Sequence, residues 1–122
     1  MTIGQAIERI DGFKPNAYTF DEKVRWLWEL DSQIKTEIMD THEGGIHDAM
    51  MEYTADDTEQ ELLVMPPYDG MYIHFLESKI DYANAEYGKF NNSNAMFATE
   101  YNAFRNWYNQ THLPLGLRRR YW

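Results

Sequence analysis

The chain has no cysteine. That excludes disulfides, a thiolate nucleophile and cysteine-based zinc sites, and leaves packing to supply stability. Long apolar runs are missing as well: no stretch approaches the roughly 18–20 residues of a membrane span, and the first residues lack the basic-then-apolar layout of a signal peptide. The expectation is a soluble protein that stays where it is made unless a lysis-dependent or assembly-dependent route carries it out. Basic charge is scarce, with 11 Lys and Arg against 20 Asp and Glu, and the net charge of −9 argues against a general nucleic-acid binder, which needs a basic face to neutralise phosphates. Neither a G-x-S-x-G elbow nor a phosphate-cradling glycine loop is present. The sequence therefore predicts no enzyme and no cofactor, and 122 residues predict one domain.

One stretch, "THEGGIHD" from Thr41 to Asp48, imitates a zinc-hydrolase signature. That motif needs two histidines four apart on one helical face. His42 and His47 are five apart, and Gly44-Gly45 between them argues against a helix. His74 and His112 lie on other predicted elements without a ligand-like neighbour, so no metal site is expected. The reading is a loop after a helix, with His42 at the helix's negative end. Carboxylates clustered at Asp56, Asp57, Glu59 and Glu61 lack the order of a calcium-binding EF-hand. Acid pairs such as Glu29 with Asp31, or Glu37 with Asp40, read as the solvent face of a helix.

What is abundant is aromatic side chain: four Trp, nine Tyr and six Phe offer large contact area with polar handles, suited to interfaces as well as cores. Charge is divided along the chain. Residues 1–61 hold 15 acids and 5 bases, whereas residues 62–122 hold 5 acids and 6 bases. Two unlike halves suit a head-to-tail self-assembly.

Periodicity predicts an all-α fold, a small bundle of about four helices with a long C-terminal αα-hairpin, within a single domain 1–116. Thr2 caps a first helix to about Phe13, with Ile3, Ala6, Ile7 and Ile10 inward, ended by Gly12 and Pro15. Thr19 and Glu22 have capping-box spacing before a helix of about 20 residues, whose stripe is Val24, Leu27, Leu30 or Asp31, Ile34 and Ile38. Trp26 and Trp28 straddle that stripe and are candidate contacts to another helix or another subunit. An irregular acidic loop is expected over about 43–67, with "ELLVM" as a short strand or tucked extended segment and Pro66-Pro67 extended. Asp69 is the predicted cap of the third helix, with Tyr72, Phe75 or Leu76, Ile80, Ala83 and Tyr87 inward. Gly88 is predicted to stop or bend it, and "NNSN" at 91–94 to cap the fourth helix, with Phe97, Tyr101, Phe104 and Tyr108 on its inner side. Tyr53, Tyr68 and His74 are imaginable around a pocket, with nothing to fix their geometry. The tail 117–122 reads as a flexible docking peptide: Arg118, Arg119 and Arg120 for acidic groups, Tyr121 and Trp122 as aromatic anchors. Asp56, Asp57, Glu59 and Glu61 are the candidate contacts to a neighbour or downstream protein.

Two blocks, "KPNAYTFDEKVRWLWELDSQI" and "LLVMPPYDGMYIHFLESKIDYANAEYGKFNNSNAMFATEYNAFRNWYNQTH", resemble the head-tail connector, or head-completion adaptor, family of tailed phages and prophages of Gram-positive bacteria. The resemblance covers about two thirds of the chain and is strongest over "PPYDGMYIHFLESKIDYANAEYGKFNNS"; the acidic middle and the arginine-rich tail match less well. It implies a structural virion protein that forms a homo-oligomeric ring beneath the portal vertex, extends the DNA channel and offers a platform to the next connector, stopper or tail protein. It also implies that DNA passes without sequence-specific binding and that the protein waits in the host cytoplasm before assembly. The sequence leaves the oligomeric state of the free protein open, a monomer being one option, and its lack of a long apolar run points to no membrane. The alternative from another class is a small acidic regulatory module that sequesters a basic partner protein.

Overall fold

A computed structural model describes residues 1–44 and 50–115, and the expected all-α bundle is what it holds. Four helices follow in order: α1 (Ile3–Phe13), α2 (Phe20–Glu37), α3 (Met71–Ala83) and α4 (Tyr87–Thr111). Among the described residues there is no strand, only isolated bridges of Thr2 with Glu61 and His42 with Pro114. The main packing is α3 against α4, with α1 and α2 laid on α3.

Local chemistry sets the first two helices. The Gln5 N–H donates to Thr2 Oγ1 (3.1 Å) and the Thr2 N–H to Gln5 Oε1 (2.9 Å), a reciprocal cap that satisfies two of the donors a helix start leaves open. α1 then buries Ile3, Ala6, Ile7 and Ile10 and passes through Gly12 to end just ahead of Lys14-Pro15. In α2, Thr19 Oγ1 accepts from the Glu22 N–H (3.1 Å). Its buried stripe takes both Leu30 and Asp31, and a 3-10 turn, Met39–Thr41, follows.

The acidic middle has no helix among its described residues, yet it is fastened. The Ile3 and Gly4 N–H groups, open at the start of α1, donate to the carbonyls of Gln60 and Thr58 (both 2.9 Å), and the Leu62 N–H donates to the Met1 carbonyl (3.0 Å). Gly4 suits this approach: a Cβ there would stand 3.0 Å from the Thr58 carbonyl oxygen, close enough that the neighbouring backbone would have to give way slightly. "ELLVM" forms no strand; it bends at Leu63 and is tucked against the bundle with Leu62 and Val64 buried.

Three boundaries differ from the sequence expectation. Asp69 does not cap α3; it lies in a 3-10 turn, Tyr68–Gly70, that follows Pro67 directly and runs into the helix. Pro67 itself, at ψ 8°, is not extended. The hairpin corner falls at Asn84–Glu86 rather than at Gly88, which is inside the first turn of α4. There the Glu86 N–H donates to the Asp81 carbonyl (2.9 Å) and the Ala85 N–H to the Tyr82 carbonyl (3.0 Å), with Ala85 at φ 58°. This bonding closes a helix C-terminus with a left-handed residue, a place glycine usually takes. The "NNSN" stretch consequently lies within α4 instead of capping it, and Ala83 and Tyr87 are exposed rather than inward.

The core joins all four helices. Leu27, Leu30, Ile34, Tyr72, Leu76, Ile80 and Phe104 are fully buried, with Tyr101 and Tyr108 nearly so.

Candidate interaction surfaces

Asp31, which the sequence offered both as an alternative to Leu30 in the stripe and as a solvent-facing acid, is completely buried. Its position in the apolar stripe turns it to the core, where the Tyr53 hydroxyl donates to Oδ2 and the Tyr72 hydroxyl to Oδ1, each at 2.6 Å. The Leu63 N–H donates to Oδ2 at 3.2 Å, and Tyr72 Oη accepts from the Val64 N–H at 2.9 Å. Burial raises the Asp31 pKa from its ordinary 3.8, opposed by these hydrogen bonds. Burial, and then the Asp31 charge, push the Tyr53 and Tyr72 phenols well above 10.0. The network pins the segment 53–64 to α2 and α3. Tyr53, Tyr68 and His74 do not meet around a pocket: Tyr53 serves Asp31, and Tyr68 packs on Phe104 and Trp107.

A second buried carboxylate, Asp81, forms an ion pair with Lys14 through Oδ1 and accepts from the Ser93 hydroxyl through Oδ2 at 2.9 Å. It ties the end of α1 to both arms of the hairpin. The Tyr18 hydroxyl, donating to Asn84 Oδ1 at 2.7 Å, adds a tie at the same corner.

His74 has the carboxylate neighbours that the sequence did not suggest: Nε2 lies 2.9 Å from Glu100 Oε1, and Nδ1 lies 3.7 Å from Glu77 Oε1. Burial raises the Glu100 pKa, the His74 charge opposing and Asp69 adding to the rise. Gly70 makes the space, because a Cβ there would come within 2.8 Å of Glu100 Oε2. These groups do not amount to a metal cluster; none of three or more ligating side chains occurs among the described residues. His42 is structural. Buried after α2, its Nδ1 lies 2.6 Å from the Ile38 carbonyl, and its ring meets Tyr108 edge-on at 5.1 Å. His112 stacks on that same tyrosine at 3.8 Å, and His47 lies outside the described residues.

The candidate contact residues fall in several places. Trp26 is half-buried against Tyr18 (5.7 Å) and Trp28 against Tyr53 (5.2 Å), so each is partly used by its own chain. Asp56, Glu59 and Glu61 are exposed. Asp57 is half-buried and closes a turn, its Oδ2 accepting from the Thr54 N–H (2.8 Å) and hydroxyl (3.1 Å). Arg118, Arg119, Arg120, Tyr121 and Trp122 lie outside the described residues.

Sequence reasoning missed an apolar corner. Phe13, Tyr82 and Tyr87 are 65%, 61% and 58% exposed, with the two tyrosines in contact at 5.9 Å. Phe13 precedes Lys14, whose ion pair with Asp81 brings the end of α1 to the same end of α3. The signal available was Tyr87, which helical spacing turned inward only as long as α3 was extended past Ala85. No family model matches the chain, and no match to it was found among curated proteins or solved structures.

Proposed function

We propose that the chain is a structural assembly protein, the head-tail connector of a tailed phage or prophage. Copies join in a ring under the portal vertex, extend the DNA channel and present a platform for the next connector, stopper or tail protein. The reading rests on the family resemblance of the two sequence blocks and on one structural observation: a small subunit carries two unlike surfaces at the two ends of α1. The acidic segment is bonded to its first residues, and the apolar corner of Phe13, Tyr82 and Tyr87 sits by its last, about 16 Å away along the helix. A ring needs two such different, complementary patches on each subunit. The tail, 117–122, is proposed to dock on the portal or a neighbour, with Arg118 to Arg120 pairing to carboxylates and Trp122 filling a pocket. Trp26, Trp28 and the acidic group Asp56, Asp57, Glu59 and Glu61 are proposed contacts to a neighbour or downstream protein.

The exposed acids Glu52, Asp56 and Glu59, in a segment with no Lys or Arg between 52 and 61, favour a second reading, a regulatory module that sequesters a basic partner. Pull-down with the cognate portal ring separates the two. The connector reading expects capture of the intact chain and loss of capture on deletion of residues 117–122 or on joint Tyr82→Ser and Tyr87→Ser substitution. If the portal fails to capture the intact chain across a range of salt and pH, the connector reading is wrong. Capture undiminished by the deletion would refute the tail's role alone.

A further inference from the structure

α4 has six asparagines in 25 residues, although asparagine is a poor former of helix interiors because its side chain competes for the backbone. Their placement is regular. Asn92, Ala95, Thr99, Asn102, Asn106 and Asn109 recur at steps of three or four and are all exposed, along the side of the helix opposite buried Tyr101, Phe104 and Tyr108. Between Asn91 and Gln110 the only charged side chains are Glu100 and Arg105, on the flanks of that stripe and held by the chain itself, Glu100 by His74 at 2.9 Å and Arg105 by Glu37 at 3.5 Å. α1 and α2 differ: they expose Glu8, Arg9, Asp11, Asp21, Glu22 and Arg25.

The uncharged stripe has a physical consequence. Copies of a chain with net charge −9 repel, and they approach at least electrostatic cost through a face without charge. An amide also carries both donor and acceptor, so it can pair with an identical amide across a two-fold axis, which a carboxylate cannot do. We infer that the outer face of α4 is a contact between two copies of this chain, the helices antiparallel and the axis near Thr99 and Asn102. Antiparallel crossing also sets the two helix dipoles favourably. The stripe is about 26 Å long and about 10 Å wide, about a third of the ~800 Å² per partner of a standard stable interface. The pair is therefore weak and concentration-dependent. It goes beyond the connector reading and does not depend on it: a two-fold pair is isologous and closed, whereas ring contacts are heterologous and lie at the ends of α1.

The test uses the full chain in two measurements. Sedimentation velocity from micromolar to millimolar protein is expected to show the mass rise from 14.5 kDa toward twice that value. Joint Asn102→Glu and Asn106→Glu substitution, on exposed positions, is expected to weaken the pair by roughly tenfold or more with helix content unchanged by circular dichroism. Because cysteine is absent, single cysteines report geometry directly. Asn102→Cys is expected to form a disulfide-linked dimer under mild oxidation. Asn91→Cys and Gln110→Cys, each about 15 Å along the helix from the axis, are expected not to. A single-copy mass at every concentration overturns the contact, and so does Asn91→Cys or Gln110→Cys linking as fast as Asn102→Cys.

Discussion

Asp31 and Asp81 are buried to the same depth, 0% and 1% exposed, and the chain satisfies them in different ways. Asp31 meets only neutral donors, two phenols and a backbone N–H. Asp81 meets a cation, Lys14, and a hydroxyl, Ser93. Each joins elements distant in sequence: Asp31 fixes the irregular acidic segment to the bundle, and Asp81 fixes α1 to the hairpin corner. The difference lies in what removal leaves behind. Around Asp31 the two buried phenols are stranded in the core, whereas Lys14, with a side chain 20% exposed, retains access to water, and Ser93 retains the Lys89 and Phe90 carbonyls.

Urea unfolding at neutral pH measures that contrast. Asp31→Ala is expected to cost about 3–5 kcal/mol, because two buried phenols lose their acceptor without solvent to replace it and the Leu63 N–H loses its partner as well. Asp81→Ala is expected to cost less, about 2–3 kcal/mol. An equal or reversed order would break the comparison. Tyr53→Phe removes one donor and leaves Asp31 with two, for about 1–2 kcal/mol.

The pH dependence sharpens the same point. Because the folded pKa of Asp31 is raised above 3.8, its protonated form favours the folded state, and that contribution is lost as pH rises from 3.8 through the folded value. Glu100, also raised, acts in the same direction, and Glu37, lowered chiefly by the Tyr101 hydroxyl, in the opposite one. Asp31→Asn should therefore flatten the fall in stability with rising pH above 3.8; an unchanged slope would show that Asp31 titrates as it does unfolded. On the alkaline side, the raised phenols of Tyr53 and Tyr72 make stability fall as pH rises above 10.0, and Tyr53→Phe should lessen that fall.

Smaller effects belong to the Asp81 corner. Ala85→Gly relieves a left-handed residue and is expected to add about 0.5–1 kcal/mol to stability. Tyr82→Ser with Tyr87→Ser should change stability by no more than about 0.5 kcal/mol each while weakening assembly. A large loss of stability would mean that the exposed corner belongs to the fold instead.

The helices were legible wherever one local rule decided them. Thr2 and Thr19 announced their caps, and the stripes of Ile3, Ile7 and Ile10 or Leu27 and Ile34 announced buried faces. Legibility ended where partners came from far along the chain. Asp31 reads either as a stripe residue or as one more acid on a charged helix until Tyr53 and Tyr72 are brought to it. Asn84–Glu86 carries no glycine, so the corner was sought at Gly88, and this displaced both the inward Tyr87 and the supposed cap at 91–94. The uncharged face of α4 was present in the sequence as spaced asparagines, hidden by treating the first of them as a cap. For the proposed contact residues the sequence could offer only chemistry: Trp26 and Trp28 prove half-engaged at home, and Asp57 holds its own turn.

The most direct test of the assembly account is negative-stain imaging of the cognate portal ring mixed with the full chain, with bound copies counted by mass photometry. The account expects ring-shaped density added to one end of the portal, with many copies per ring. Portal particles unchanged in shape and mass, beside a freely diffusing chain, would contradict it.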